Sequence, residues 1–538
     1  MSITVEVGLL SGRSATVKAD VDEDVGALKR RAESALGVGS GRLVDSSGGV
    51  LDVCSRIRRT RLQDGDSLSL HVRRVQIQGN MAAFAAIPGD GSVVTWGRAH
   101  WGGDSSAVQD HLNNVQQIQA CSGDIFGGAF AAILDDGSVV TWGHPSCGGD
   151  SSAVQHQLHN VQQIQATGSA FAAILAAGAV VTWGHPAAGG DSSSVQHQLK
   201  NVQQIQASKG DAGRAFAAIL GDGSVVTWGY PSCGGDSSAV QHQLKNVQQI
   251  QATGNAFAAI LGDGSVVTWG GSQFGGDSSS VQDQLKNVQQ VQATRFAFAA
   301  ILDDGSVVTW GHPDSGGDSS AVQHQLKNVQ QIQATGSAFA AILAAGAVVT
   351  WGHPAAGGDS SSVQHQLKNV QRIQASGDAF AAILDDGSVM TWGHPDSGGD
   401  SSAVQHQLKN VQQIQATGSA FAAILAAGSV VTWGHPAAGG NSSSVPHQLK
   451  NVQQVQAIGG AFAAILGDGS VITWGYPDSG GDTSSVQGQL SNQLAVQLPC
   501  LRANSKKQAS RSSQKKSLQV FNRWAAVFRR IVFVRWFL

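Results

Sequence analysis

Most of the chain alternates between short apolar runs and glycine-rich polar segments. The copy from Ala297 to Thr335 is representative, with A-F-A-A-I-L followed by D-D-G, S-V-V-T-W-G, G-G-D-S-S and V-Q-Q-I-Q. The first run is apolar on both faces, as expected of a strand that is covered on both sides. An Asp-Gly pair between two β-rich runs indicates a hairpin. Each period therefore predicts three strands and leaves a fourth open in V-Q-H-Q-L.

The tryptophan of T-W-G marks the period. Its ten copies are spaced by 46, 41 and 45 residues and then by 41 six more times, with a Phe twelve residues before each. A small sheet with a double-sided apolar strand must stack on its neighbours to bury both faces. Radial stacking also removes long exposed edges. The tryptophans are Trp96, Trp142, Trp183, Trp228, Trp269, Trp310, Trp351, Trp392, Trp433 and Trp474.

Composition agrees with many short strands and tight turns. The 538 residues include 68 Gly, 41% hydrophobic and 13% charged residues. Charge is uneven, because residues 75–496 hold 12 Lys/Arg against 27 Asp/Glu, a net −15, whereas residues 497–538 hold 10 Lys/Arg and no acid. An acidic array disfavours direct DNA binding, which depends on clustered positive charge.

The phrase A-A-I-L-D-D-G-S-V-V-T-W-G at 299–311 resembles the regulator of chromosome condensation repeat. The resemblance covers 75–496 and implies a β-propeller. The repeat here is shorter than is usual in that family, and is more similar to the three-stranded propellers of a β-lactamase inhibitor protein. Ten copies also exceed the common blade number, so one ring of ten, or seven blades plus three extra repeats, are both open.

Residues 1–74 follow a different pattern. Ile3–Val7 and Ser14–Lys18 alternate like paired strands, Asp24 is placed to cap a helix, and Gly41–Asp45 and Leu62–Val72 predict two more strands. The order hairpin, helix, strand, strand is that of a β-grasp domain.

Two phrases in this segment, G-R-L-x-D-x-x-G-x-x-L at 41–51 and L-x-D-G-x-x-L-x-L at 62–70, resemble the ubiquitin-like family. The chain continues through Arg73-Arg74 into the repeats instead of ending in a diglycine, which favours a built-in docking domain over a conjugated modifier. A generic small α+β cap on the array is the alternative.

The tail, residues 497–538, is basic. Lys506-Lys507 and Lys515-Lys516 resemble a two-part nuclear import signal, with a solvated tail as the alternative. Val520, Phe521, Trp524, Val527, Phe528 and Ile531 take helical spacing, which would suit a membrane surface or calmodulin. Two alternatives stay open for this segment: it packs back on the array, or it has no function. The start lacks a signal-peptide pattern, so we expect a cytoplasmic or nuclear protein.

The sequence contains no recognisable catalytic motif. Histidines recur after T-W-G and in V-Q-H, but three or four copies of each lack them, so a metal ring would be incomplete and neutral loop histidines are favoured. The loop Asp314–Ser320 offers oxygen ligands for calcium, yet other copies lose the first acid, which favours a turn. The five cysteines form no CxxC pair. We therefore expect no enzyme activity, metal or cofactor.

Differences between copies provide the candidate binding residues. Insertions occur only between the first two strands of a repeat, and unusual residues follow T-W-G early in the array. The fold expected is mainly β: a propeller of ten three-stranded repeats of about 41 residues, with the small N-terminal domain. The candidates are Arg98, Trp101, Asp124, Phe126, Lys209, Arg214, Tyr230, Phe274, Arg295 and Phe296.

These features lead to the hypothesis of a protein-interaction scaffold or adaptor linked to the ubiquitin system. By the resemblance of the repeats, the alternative is a guanine-nucleotide exchange factor or a chromatin-associated regulator. The corresponding partners would be ubiquitin-pathway components or a small GTPase. Unconstrained variation is the competing explanation for the departures at the early repeats.

Overall fold

A computed structural model describes residues 2–9, 12–38, 41–53, 55–72, 74–121, 123, 127–208 and 214–490. These residues form one four-stranded sheet followed by ten three-stranded antiparallel sheets, numbered here sheet 1 to sheet 10 along the chain. No helix in the described ranges is long and apolar enough to cross a membrane.

The N-terminal segment is a mixed sheet with one helix. Its elements are β1 (Ser2–Gly8), β2 (Ser14–Asp20), α1 (Val25–Leu36), β3 (Gly41–Val44) and β4 (Ser67–Val72). The sheet order is β2-β1-β4-β3, with β1 and β4 parallel. The predicted order of hairpin, helix, strand, strand is confirmed.

Helix α1 begins where the sequence predicts. The Asp24 carboxylate accepts a hydrogen bond from Ala27 N at 2.7 Å, which caps the first turn. The helix ends at Gly37, whose φ of 59° is the left-handed conformation common after helices. Val25, Leu28 and Leu36 pack with Val5 of β1 in a small core separate from the repeats.

Each repeat contributes one sheet made of an inner, a middle and an outer strand. The inner strands are Gln76–Gly79, Val115–Ala120, Val161–Ala166, Val202–Ala207, Val247–Ala252, Val288–Ala293, Val329–Ala334, Val370–Ala375, Val411–Ala416 and Val452–Ile458. The middle strands are Ala83–Ile87, Ala129–Leu134, Ala170–Leu175, Ala215–Leu220, Ala256–Leu261, Ala297–Leu302, Ala338–Leu343, Ala379–Leu384, Ala420–Leu425 and Ala461–Leu466. The outer strands are Val94–Gly97, Val139–Gly143, Val180–Gly184, Val225–Gly229, Val266–Gly270, Val307–Gly311, Val348–Gly352, Val389–Gly393, Val430–Gly434 and Val471–Gly475. A short helix, α2, spans Gln487–Leu490.

The recurrent Phe and Trp are cross-strand partners. In sheet 6, Phe298 of the middle strand is paired with Trp310 of the outer strand, and their rings stack with centroids 5.3 Å apart. The Trp310 indole N–H donates to Gly275 O, in the loop that leaves sheet 5. The twelve-residue spacing thus builds one aromatic stack per sheet, and the indole also ties each sheet to the preceding one.

The sheets contact one another in cyclic order. Inner strands of successive sheets lie side by side, and the inner strand of sheet 10 lies beside that of sheet 1. One buried cluster joins Ile77, Phe84 and Trp96 of sheet 1 to Ile458 and Ile465 of sheet 10. The contacts therefore return to their starting point after ten sheets.

The array has two faces. The turns that join inner to middle strands lie on one face, together with the 3-10 turns after the outer strands; we call this the turn face. The hairpins that join middle to outer strands lie on the other, which we call the hairpin face. On the hairpin face, the inner strand of each following sheet is anchored by bonds such as Val329 N to Gly305 O at 2.9 Å.

The V-Q-H-Q-L segment does not form a fourth strand. In sheet 6 it makes a 3-10 turn at Gln323–Gln325. The Gln323 amide donates to Val307 O at 2.8 Å and accepts from Ser319 Oγ. A side chain thus bonds the outer edge of the sheet, which blunts an edge that could otherwise pair with another chain.

Candidate interaction surface

On the turn face, two chain segments of each sheet meet. The residue after W-G donates its backbone N–H to the residue before the middle strand, as from His312 N to Phe296 O at 2.9 Å. The same bond joins Tyr230 N to Arg214 O at 2.8 Å. Sequence departures at either position are therefore brought together on one surface.

Arg98 and Trp101 lie at the start of the array. Arg98 is exposed and pairs with Asp478 of sheet 10 across 2.8 Å. Trp101 is half-buried beside sheet 2, and its carbonyl accepts a hydrogen bond from Asn80 Nδ2 at 2.7 Å. Arg98 therefore contacts sheet 10, and Trp101 packs between sheets 1 and 2.

Arg214 and Tyr230 lie on sheet 4. Arg214 is exposed, and the Tyr230 side chain is 44% exposed. Cys233 lies in the same loop, and burial raises the pKa of its thiol. Tyr230 therefore presents an aromatic surface to solvent, next to a cationic residue.

Phe274, Arg295 and Phe296 form a second group, at the junction of sheets 5 and 6. The rings of Phe274 and Phe296 are 5.2 Å apart and tilted by 38°. Both are half-buried, and Arg295, which precedes Phe296 in the chain, is exposed. The ring of His312 lies 6.3 Å from that of Phe296. Phe274 and Phe296 are thus brought into contact, and Arg295 lies in the same turn as Phe296.

The remaining candidates, Asp124, Phe126 and Lys209, lie outside the described residues, as does the tail with its predicted import signal and amphipathic segment.

The N-terminal domain occupies part of the hairpin face. Arg42 Nε of β3 donates to Asp90 O at 2.9 Å, and Lys29 Nζ of α1 lies 3.4 Å from the Asp90 carboxylate. Arg42 also approaches Asp135, in the hairpin of sheet 2, at 3.9 Å. Sequence reasoning missed these residues, since nothing in a lone Lys or Arg indicates which hairpin it will meet.

The ionisation of this contact follows from burial and charge. Burial raises the pKa of Glu33, although Lys29 lies 3.5 Å away. Burial alone would also raise the pKa of Asp90, but Lys29 and Ser92 hold it below its ordinary value. The ion pairs therefore join the two domains at a partly desolvated contact.

A rim of aspartates surrounds the array, one per sheet in nine sheets. Each accepts a hydrogen bond from a backbone N–H two residues later, as Asp318 does from Ser320 N at 2.9 Å. That bond lowers the pKa of Asp318, and the Ser320 hydroxyl adds to the effect. In sheet 9, Asn441 makes the same bond to Ser443 N. The rim residues are Asp104, Asp150, Asp191, Asp236, Asp277, Asp318, Asp359, Asp400 and Asp482.

The G-G-D-S-S loop is an Asx turn, because its Asp carboxylate accepts a hydrogen bond from the backbone N–H two residues later. Within the described ranges, no group of three or more His, Cys, Asp or Glu residues is arranged to hold a metal ion. His156, His324 and the other described V-Q-H histidines lie on the exposed periphery.

A cavity opens where the inner strands end on the turn face. It has a volume of about 430 Å³ and is lined by residues of sheets 1, 2, 3, 4 and 10. Met81, which is 43% exposed, and Ile458 supply apolar surface, and Gln206 and Ser208 supply polar atoms. Because its lining comes from five sheets, this cavity lies at the central opening of the array, which we call the axial mouth.

Comparison with known proteins gives only structural likeness. No family model and no curated protein matches the chain. The CRINKLY WD40 ectodomain of the receptor kinase ACR4 from Arabidopsis thaliana is 17% identical over 51% of this chain and 97% of that one, with a TM-score of 0.28. Prp20p from Saccharomyces cerevisiae is 17% identical over 53% and 83%, with a TM-score of 0.30. Human WBSCR16 is 16% identical over 52% and 76%, with a TM-score of 0.29.

Proposed function

We propose that this protein is a non-enzymatic scaffold: a closed ten-bladed β-propeller that binds a protein partner on its turn face and carries a docked N-terminal domain on its hairpin face. The ubiquitin-like resemblance of that domain makes an adaptor of the ubiquitin system the specific form of the proposal.

The interior of the array suits a rigid support. The middle strand is buried on both faces in every sheet, and each sheet contains an aromatic stack. An indole hydrogen bond recurs at each junction between sheets, including that between Trp96 and Gly480. A cyclic set of such interfaces resists bending, since no sheet lacks a neighbour. Residues on its surface are therefore held in fixed relative positions.

One observation carries the proposal. The ten repeats are nearly identical, so each serves as a reference for the others, and the described departures that we singled out lie on the turn face. Phe274 and Phe296 come from different sheets and meet there at 5.2 Å. Exposed or half-exposed aromatic and arginine side chains are the residues most enriched where proteins bind proteins.

The N-terminal domain supports a two-surface arrangement. Its contacts with Asp90 and Asp135 are on the hairpin face, so it leaves the turn face open. In the proposal, the sides of the domain that point away from Lys29 and Arg42 engage a second partner.

The test is chemical cross-linking of the full chain in cells of the source organism, followed by quantitative mass spectrometry. A turn-face variant restores the repeat sequence with Tyr230→His, Phe274→Ala, Arg295→Gly and Phe296→Ser. A matched hairpin-face variant carries Asp303→Ala and Asp304→Ala, which recreates the natural Ala344-Ala345 hairpin.

We expect specific proteins to be cross-linked by the wild type and the hairpin-face variant and lost from the turn-face variant. Recovery of ubiquitin-pathway components would support the adaptor form, whereas small GTPases or chromatin proteins would replace it with an exchange or chromatin role. Equal recovery by all three versions would overturn the assignment of the turn face.

A further inference from the structure

On the turn face of sheets 5 to 10, the backbone forms a continuous hydrogen-bonded collar. The central residue of each inner-to-middle turn donates its N–H to the carbonyl of its counterpart in the next sheet. The distances are 3.1, 3.1, 2.8, 2.9 and 3.1 Å. The collar residues, from sheet 5 to sheet 10, are Gly254, Arg295, Gly336, Gly377, Gly418 and Gly459.

Five of these six residues are glycines, so most of the collar presents bare backbone. Arg295 is the exception. Its side chain is exposed and extends toward the next turn, with Nε 3.7 Å from the position that a β-carbon on Gly336 would occupy. None of the ion pairs formed by the described residues includes Arg295. Arg295 is thus the one residue among these six that carries a side chain.

Phe296 and Phe274 lie on the other side of the same turn, where their rings are 5.2 Å apart. Phe296 follows Arg295 directly, where the turns of sheets 3, 7 and 9 have Ser169, Ser337 and Ser419. Phe274 occupies a position that is alanine in three other sheets, as at Ala356. The ten Phe–Trp stacks are buried, whereas these two rings keep exposed edges. Three departures within two adjacent sheets therefore place an exposed cation in the same turn as a pair of half-buried aromatic rings.

We propose that Arg295, Phe296 and Phe274 form a docking site on the turn face for a protein segment that carries a carboxylate next to an aromatic or aliphatic side chain. This deepens the scaffold function proposed above and rests on it. The guanidinium offers paired donors to the carboxylate, and the two ring edges cover the neighbouring apolar group.

The charge around the site defines the partner further. Nine aspartates line the rim of the array, one in each of nine sheets, whereas the six collar residues include one cation and no acid. A purely acidic segment would be repelled by the rim once it extended outward. The matching segment has its carboxylate at the centre and neutral or basic residues on either side.

The site can be tested with a phage-displayed library of linear peptides selected on the full-length protein. Affinities of the recovered peptides are then measured by fluorescence anisotropy on the wild type and on Arg295→Gly, Phe296→Ser and Phe274→Ala. The first two substitutions recreate the Gly336-Ser337 turn of sheet 7, so the fold tolerates them. A relocated variant, Arg295→Gly with Gly336→Arg, keeps the charge but moves it one sheet away.

We expect recovered peptides to share an Asp or Glu beside a Phe, Trp or Leu. Loss of a charge-assisted contact should weaken their binding by roughly tenfold or more in Arg295→Gly. The relocated variant should not restore binding, and Asp303→Ala with Asp304→Ala on the hairpin face should leave it unchanged.

Peptides that bind Arg295→Gly as tightly as the wild type, peptides without a carboxylate, or a library with no binder would each overturn this site. If the cellular cross-links of the turn-face variant are nevertheless lost, the scaffold function stands and only the docking chemistry is wrong. If both fail, the turn face is not a binding surface.

Discussion

The indole N–H of Trp96 donates a hydrogen bond to Gly480 O at 2.9 Å, across 384 residues of sequence. The same bond joins neighbouring sheets elsewhere, as between Trp310 and Gly275 at 3.0 Å. The first and last sheets are therefore joined by the same hydrogen bond that joins the other neighbouring sheets. Sheet 10 contacts sheet 1 without exchanging a strand.

Replacing Trp96 by Phe tests this junction. The Phe ring preserves the stack on Phe84 but leaves the buried carbonyl of Gly480 without its donor, which should lower the free energy of unfolding by about 1–3 kcal/mol. Trp310→Phe is the internal control and should lose a similar amount. Urea unfolding followed by circular dichroism measures both. An unchanged Trp96→Phe beside a destabilised Trp310→Phe would mean that the junction does not form in solution.

Gly79 and Ile458 are a complementary pair at the same junction. A methyl group on Gly79 would lie 2.5 Å from Ile458 Cγ2. Sheets 2 and 3 have alanine at the position of Gly79, and sheets 3 and 7 have threonine at that of Ile458. Gly79→Ala should destabilise the protein by about 1–3 kcal/mol through overpacking, and adding Ile458→Thr should recover much of the loss. Additive effects of the two changes in a double-mutant cycle would show that the residues do not meet.

The rim aspartates predict sensitivity to acid. A backbone N–H bond holds the pKa of Asp318, Asp359 and Asp400 below the ordinary 3.8. Between the two pKa values the unfolded chain binds more protons, so this stabilisation is complete above about pH 3.8 and is lost as the pH falls through the folded-state pKa.

Changing these three residues to Asn, which sheet 9 already carries at Asn441, should keep the turn and make stability less dependent on pH below 4. The matched control changes Asp110, Asp283 and Asp314 to Asn. No such bond is found for these three among the described residues, so the control should keep the dependence of stability on pH. Acid titration monitored by circular dichroism compares the two. Equal slopes would show that the rim carboxylates are not titrating as described.

Arg42 is predicted to hold the N-terminal domain in place. Arg42→Ala removes the bond to Asp90 O and the approach to Asp135, and should weaken docking by about 1–3 kcal/mol. Hydrogen exchange at Gly91 and Ser92 should then rise. Arg58→Ala, which breaks an exposed pair with Asp22 within the domain, is the control and should leave this exchange unchanged. Unaltered exchange in Arg42→Ala would contradict the docked arrangement.

The repeated part of this fold was accessible from sequence because ten copies of one pattern identify the same strands independently. The twelve-residue spacing of Phe298 and Trp310 even corresponds to a direct pair. The junction was not accessible, although Gly79 and Ile458 both depart from the repeat, because their contact exists only once the array closes. The Arg42 to Asp90 contact was hidden for a similar reason, since it depends on how two separately folded units meet. At the candidate surface, the positions of Phe274 and Phe296 were found as departures, but their proximity and the glycine collar beside them required the structure.

Closure of all ten sheets into one ring underlies every surface described here, and electron cryo-microscopy of the full chain tests it most directly. Class averages viewed along the axis should show ten spokes, with continuous density between the first and last sheets. An open arc, or a ring of fewer spokes with the remaining repeats outside it, would contradict the account.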